Sequence, residues 1–361
     1  MAFQLRHLDE DTIFEHVFDR YVQIETHVGS LKQDLGILSR DEHEVEVQIE
    51  PDEELSRPKR KSRQSNRRQK NNPETSRGSI DSSVTQTFSI TVNQSITSLN
   101  SSQVNNNSTT GYVLWSITPF FLKWLLYSKS AAFLRVNDGG ASSVKLLNSE
   151  ESISVPSIMG DNVGIIELGS GISGILPTVM GNYVATYIAT DQRGILKKLK
   201  SNIKDNLLQL NRRCIVSSSL HVDQSTDSDD LNIISNRCQL EVEPIDWETF
   251  HLTDQTLSKL YPYLSKLKDQ AETVYIIALD VIYNDFLIAP FLTALRQLLD
   301  YYRKSNPERS IRVRALVGIQ LRSQEVVTSF LEHAVLNHNL KVYSVEDADW
   351  QHTRFNLYLI E

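Results

Sequence analysis

The sequence predicts an α/β protein with a mostly parallel β-sheet, helices on both faces, and an N-terminal extension. Three observations carry this prediction. From residue 163 onward, short runs rich in Val, Ile and Leu alternate with stretches of helical periodicity, the pattern of parallel strands joined by crossover helices. The first run, Val163-Gly-Ile-Ile-Glu-Leu168, leads into a turn with glycines at 169, 171 and 174. Acidic residues end four successive runs, at Glu167, Asp191, Asp246 and Asp280.

The extension covers residues 1–95. Ile13, Val17, Tyr21 and Ile24 recur at helical spacing, with Asp9 and Asp11 near the start, where acids favour a helix N-terminus. Residues 45–49 and 88–92 alternate apolar and polar, so two strands are expected there, paired with each other. Between them a basic tract at 55–83 is expected to be disordered, because Arg57-Pro-Lys-Arg-Lys-Ser-Arg-Gln-Ser-Asn-Arg-Arg-Gln-Lys70 holds nothing apolar to bury. The domain proper is placed at 96–361. It begins with a polar Ser/Asn-rich stretch to 110 and a buried helix around 117–126. Strands follow at 163–168, 184–190, 214–220, 240–245, 273–279, 313–320, 340–345 and 355–360. Helices are expected at 173–180, 195–210, 257–267, 286–302 and 324–337, with a polar insertion at 221–237. No helix is expected between the last two strands, so one of them should run antiparallel.

Composition narrows the function classes. The opening residues turn acidic at once, unlike a secretion signal. The most apolar segment, Pro119-Phe-Phe-Leu-Lys-Trp-Leu-Leu126, is too short to cross a membrane. Two cysteines and nine scattered histidines lack the spacing of a disulfide framework or a metal site, so no metal is expected and a reducing, cytoplasmic setting is. The net charge of −8 is unevenly spread: residues 57–77 hold nine Lys/Arg and one acid, leaving 28 basic and 44 acidic residues elsewhere. An acidic body attracts a basic partner. The tract itself reads as an RNA contact, a nuclear signal or a solvated loop.

The row of acids points to a ligand at the carboxyl ends of the strands, where open α/β sheets bind them. Glycines let backbone approach a ligand closely. Glu167 lies two residues before Gly169, where a carboxylate repels a pyrophosphate but suits a cationic amino group, favouring S-adenosylmethionine over a dinucleotide. Asp191 lies 20 residues past Gly171, the place of a carboxylate that accepts both ribose hydroxyls. It could equally cap a helix starting near Arg193. Asp246-Trp247 offers an acceptor for an adenine amino group beside an aromatic face.

These segments carry a resemblance. Ile165-Ile-Glu-Leu-Gly-Ser-Gly171, Thr190-Asp-Gln192, Asp246-Trp247 and Ala278-Leu-Asp-Val-Ile-Tyr283 resemble motifs of the seven-β-strand methyltransferases, and more narrowly of protein-lysine methyltransferases with an Asp-x-x-Tyr motif. Gly111-Tyr-Val-Leu-Trp115 resembles the segment that covers the cofactor there. Leu321-Arg-Ser-Gln-Glu325 and Arg354-Phe-Asn-Leu-Tyr358 resemble fungal members acting on ribosomal proteins. The resemblance implies a Rossmann-like, seven-stranded, class I fold and S-adenosylmethionine as cofactor. It further implies that Trp115, Gly169, Ser170, Gly171, Asp191, Trp247 and Ala278 line the cofactor site, joined by Glu167 and Asp246 from the acidic row. Asp280 and Tyr283 would stand where the target lysine enters, and that lysine would belong to a large-subunit ribosomal protein. A monomer is expected.

The chemistry agrees. A neutral amine attacks the methyl in line, so positioning supplies much of the acceleration. Burial in an apolar mouth helps deprotonate a lysine whose ordinary pKa is about 10.4. A dedicated base is not required, so Asp280 is assigned to orienting the amine and shaping the strand end, and Tyr283 to a nearby hydrogen bond or the channel wall. Asp280-Val-Ile-Tyr283 lacks the prolines of the loop used to methylate nucleic-acid amino groups. Two other classes compete. An NAD-dependent oxidoreductase is disfavoured by Glu167 and by the lack of a Tyr-x-x-x-Lys pair. A non-catalytic ribosome-binding protein on the same scaffold predicts damaged cofactor motifs.

Overall fold

A computed structural model describes residues 2–26, 36–52, 86–96, 110–136, 140–224, 236–304 and 310–361. The basic tract at 57–77 and residues 225–235 of the insertion lie outside them. The strands are β1 (Gln4–Leu8), β2 (Glu44–Ile49), β3 (Phe88–Asn93), β4 (Ala141–Lys145), β5 (Ser152–Pro156), β6 (Gly160–Leu168), β7 (Val184–Asp191), β8 (Cys214–Ser217), β9 (Val222–Asp223), β10 (Arg237–Pro244), β11 (Thr273–Leu279), β12 (Arg312–Gln320), β13 (Val342–Glu346) and β14 (Phe355–Ile360). The α-helices are α1 (Ile13–Thr26), α2 (Ile117–Tyr127), α3 (Ile175–Met180), α4 (Arg193–Asp205), α5 (Asp254–Leu260), α6 (Pro262–Gln270), α7 (Asp285–Arg303), α8 (Gln324–Glu332) and α9 (Ala348–Gln351).

Ten strands form the main sheet in the order β1-β13-β14-β12-β11-β6-β7-β10-β8-β9. Its centre, from β13 to β10, is the expected seven-stranded arrangement. In it β14 alone runs antiparallel to its neighbours, as the last two strands implied. β11 is buried along its whole length, and its alternating side chains feed two cores. Tyr275, Ile277 and Leu279 join the core under α2, α3, α4 and the β2–β3 hairpin. Val274, Ile276 and Ala278 join the core under α1 and α5–α8. The chain leaves β6 toward β7 and β10 on one side and returns to β11 and β12 on the other. The order therefore reverses beside β6, which opens a crevice at the carboxyl ends of β6 and β11.

The ends of several elements depart from the periodic reading for local reasons. The pattern at 257–267 is two helices divided at Tyr261, because Pro262 brings no amide and opens α6 instead. Residues 324–337 are α-helical to Glu332 and close in a π-helical turn, His333–Asn337. A short helix, α9, stands between β13 and β14 where none was expected. β1 and the β4–β5 hairpin carried too little alternation to be read as strands. The pairing of β2 with β3 is as expected.

The N-terminal segment is part of the sheet: β1 pairs antiparallel with β13. The buried Arg20 of α1 then ties this segment to the other end of the chain. Its guanidinium donates to three carbonyls of the β13–β14 connection, Gln351 at 3.2 Å, Trp350 at 3.3 Å and Thr353 at 3.3 Å, and to that of Phe355 at the start of β14 at 3.0 Å. Polar groups deprived of partners inside a protein cost about 1–3 kcal/mol each. Arg20→Met keeps the stem and removes the donors, so it should lower stability by about 2–4 kcal/mol. Urea unfolding checks this, and a midpoint equal to wild type would contradict it.

Candidate active site

The cleft at the carboxyl end of the sheet is floored by the glycine turn. Gly169, Gly171 and Gly174 all have positive φ, 73°, 58° and 66°. Two of these are forced by close approach as well. A Cβ on Gly169 would stand 2.7 Å from Val281 and 3.1 Å from the Trp247 ring, and one on Gly171 would stand 3.2 Å from the Gly111 carbonyl. The turn is bent back onto its own scaffold. The amides of Gly169 and Ser170 both donate to the Thr190 carbonyl, at 3.0 and 2.9 Å, and that of Ile172 donates to Gly111 at 3.0 Å. The Gly171 amide donates to Asp191 Oδ2 at 2.8 Å. Four successive amides thus have partners within the protein. The turn supplies a surface free of side chains, not a set of donors for a pyrophosphate. The helix behind it, α3, is only six residues long.

Ten residues singled out from sequence line this cleft: Trp115, Glu167, Gly169, Ser170, Gly171, Asp191, Asp246, Trp247, Asp280 and Tyr283. Ala278 does not line it. Strand alternation points its methyl into the core under α7, and Leu279 reaches the cleft instead. The cleft spans about 900 Å³ when the solvent-open space in front of it is included.

Two acids border the turn, Glu167 buried and Asp191 half-buried. Glu167 accepts from Tyr187 Oη at 2.8 Å. Burial pushes its carboxyl up to about 7, against the pull of hydrogen bonds from Tyr187 and Ser170. Asp191 is pushed up to about 6, again by burial, with the amides of Gly171 and Gln192 pulling it down. Asp191 does not cap α4: the N-cap is Gln192, and Asp191 Oδ1 accepts its amide at 2.7 Å. Each Asp191 oxygen keeps a second lone pair for a ligand hydroxyl. On the far wall, Asp246 follows β10, and the Trp247 ring packs edge-on to Phe291. The buried Trp247 Nε1 has no partner among the described residues.

The roof is the segment 110–115. Gly111 lies directly over the turn, and the Trp115 Nε1 donates to the Thr110 carbonyl at 3.1 Å. Residues 36–38 hold the roof from outside through backbone bonds to Leu114 and Ser116. At the mouth, Asp280 adopts a left-handed backbone, φ 58°, uncommon outside glycine and typical of functional sites. Its buried carboxylate does not point to open solvent. Arg322 takes both oxygens, Nη1 donating to Oδ1 at 2.7 Å and Nη2 to Oδ2. Burial pushes the Asp280 carboxyl above the usual range, with Arg322 opposing. Tyr283 Oη accepts from the Thr110 hydroxyl at 2.7 Å. Arg322 is the residue that reading the sequence missed. Its stretch, Leu321-Arg-Ser-Gln-Glu325, was visible as a motif, but nothing in the spacing said that β12 would deliver it to the end of β11.

Among the described residues no group of three or more His, Cys, Asp or Glu is placed to hold a metal ion, and no helix is long and apolar enough to cross a membrane. The sheet order and this cleft define a Rossmann-like, class I methyltransferase. No protein-family model matches the chain. The ribosomal lysine N-methyltransferase 5 of Saccharomyces cerevisiae strain AWRI796 is 44% identical over 375 residues, covering 100% of both proteins. That of Vanderwaltozyma polyspora is 41% identical over 356 residues, covering 99% of each. The chain belongs to the ribosomal lysine N-methyltransferase 5 family.

Gly171→Ala tests the floor. A left-handed alanine costs about 1–2 kcal/mol, and its Cβ must push the roof carbonyl away. The variant should unfold several degrees lower than wild type in a thermal scan. An unchanged midpoint would mean that the turn tolerates a side chain.

Proposed function

We propose that the protein transfers a methyl group from S-adenosylmethionine to a lysine of a large-subunit ribosomal protein. The observation that carries this reading is one cleft in which a side-chain-free turn, the acids Glu167 and Asp191 and an Asp-x-x-Tyr mouth adjoin. The family name supports the acceptor class. The cofactor supplies an electrophilic methyl group; the remaining work falls to the protein's own residues. Glu167 faces the cofactor's amino-acid end and favours its ammonium. Asp191 accepts the ribose hydroxyls through its spare lone pairs. Asp246 and Trp247 hold the adenine, and the orphaned Trp247 Nε1 fits a polar ligand placed there. Gly169, Ser170 and Gly171 let the ligand lie close, and Trp115 covers it. A dinucleotide fits worse, because the turn's amides are already bonded and Glu167 would face a phosphate.

Asp280 and Tyr283 stand on the acceptor side. Leu279, Val281, Leu287 and Pro290 make that end apolar, which disfavours a charged ammonium and helps the lysine arrive neutral. Catalysis then rests on alignment rather than on a strong base. The surplus of acids outside 57–77 suits a basic acceptor protein. The basic tract would add weak contact to ribosomal RNA. The reaction is assigned to the cytoplasm, with the protein acting as a monomer.

Labelled S-adenosylmethionine added to ribosomes from cells lacking the protein tests the activity. One labelled large-subunit protein, with label on lysine after hydrolysis, is expected. Saturable binding of NAD without S-adenosylmethionine binding would overturn the reading. Cofactor binding should also depend on pH with a definite sign. An ammonium-bearing ligand needs ionised Glu167, whose carboxyl sits near pH 7 in the empty cleft. Affinity should fall as pH drops through 7, approaching tenfold per unit, and weaken again at the alkaline end as the ligand's own ammonium loses its proton. Glu167→Gln should bind more weakly and lose that step. Calorimetric titration from pH 6 to 9 reads both, and a flat wild-type profile would remove Glu167 from ammonium recognition.

A further inference from the structure

Arg322 lies where the roof of the cleft meets its mouth. One end of its guanidinium takes both Asp280 oxygens. Its face lies over the Trp115 ring, 5.0 Å from the centroid. Trp115 donates to the Thr110 carbonyl, and the Thr110 hydroxyl donates to Tyr283. Tyr283 lies three residues beyond Asp280, so the contacts close on themselves: Asp280, Arg322, Trp115, Thr110, Tyr283. Four of these five line the cleft, Arg322 being the one behind it.

We propose that Arg322 is a positioning residue that couples the cofactor-covering roof to the acceptor mouth, so that filling the cofactor site sets the opening through which the lysine enters. This rests on the methyltransferase reading above. The chemistry of the side chain suits the task. A planar guanidinium bonds a carboxylate with two parallel donors and stacks on an aromatic face at the same time; an ammonium does neither. Each contact alone is modest, because Arg322 is partly exposed while the Asp280 side chain is almost wholly buried. Their geometry matters more. If Trp115 moves when a ligand lies beneath it, Arg322 moves with it, and Asp280 follows. With both oxygens on Arg322 and Oδ1 also accepting the Gln320 amide, Asp280 is held as a paired anion. It acts through Arg322 rather than by taking the lysine proton.

The test uses the full chain with Arg322→Gln and Arg322→Lys. Cofactor affinity is measured by calorimetry, and KM and kcat by methyl transfer to large ribosomal subunits at several pH values. Both variants should fold and bind S-adenosylmethionine within about fivefold of wild type, yet raise the acceptor KM and lower kcat, together at least about tenfold in kcat/KM. Lysine should not rescue, since charge alone is not the requirement. In Arg322→Gln the acid limb of the kcat profile should move to higher pH, because Asp280 loses the cation that opposes its burial. A stable variant with acceptor KM, kcat and pH profile like wild type would overturn the coupling. So would full rescue by lysine. Absence of cofactor binding by wild type would instead overturn the methyltransferase reading, and this inference with it.

Discussion

The hydrogen bond from the Gly171 amide to the Asp191 carboxylate, 2.8 Å long, joins the ends of two adjacent parallel strands at the floor of the cleft. It exists because β6 and β7 pair in parallel register through Leu168 and Thr190, which brings the turn after one strand against the acid ending the other. The turn cannot take this path unless its glycines adopt left-handed φ, and it cannot be roofed unless Gly171 admits the Gly111 carbonyl. Floor, roof and the Asp191 carboxylate therefore meet at one contact. With that bond in place, the Asp191 side chain is fixed before any ligand arrives, so little ordering is left to cost affinity.

The electrostatics of the cleft follow from burial. Glu167 and Asp191 are both driven upward by desolvation, and each also feels a neighbouring acid. Anionic groups gathered in a cleft are costly in the empty protein and favour a cation when one binds. At the mouth the balance is reversed: Asp280, equally buried, is neutralised locally by Arg322. The two ends of one cleft thus differ in charge: Glu167 and Asp191 at the glycine turn have no cationic partner among the described residues, whereas Asp280 at the mouth is paired with Arg322.

Much of this was legible in the residues themselves. Strand β11 was readable to its ends because Thr273 and the six apolar residues after it, between Glu272 and Asp280, have one reading in an alternating α/β chain. The glycines, Glu167 and Asp191 were readable because strand-end acids and turn glycines occupy fixed places relative to a buried run. Ala278 was placed in the cleft from its position in a motif, but strand alternation turns it the other way. The glycines were expected to let the turn's backbone approach a ligand closely, which leaves its amides open to face one. In the structure they face Thr190, Asp191 and Gly111, because β7 and the roof segment lie close enough to satisfy them.

Sequence by itself determined the class of fold, the strand-end acids and the glycine turn, since each is a local property of periodicity, side-chain charge or backbone freedom. Only the tertiary structure decided that β1 closes the sheet edge against β13, that Arg20 holds the β13–β14 connection, and that Asp280 is paired. These contacts join residues far apart in the chain: Arg20 meets residues 330 or more positions away, and Asp280 meets Arg322 across 42. No periodicity encodes such pairings. They exist because the sheet order sets β12 beside β11 and the chain's two ends against one another, so that a side chain with no local partner finds one only after the sheet is assembled.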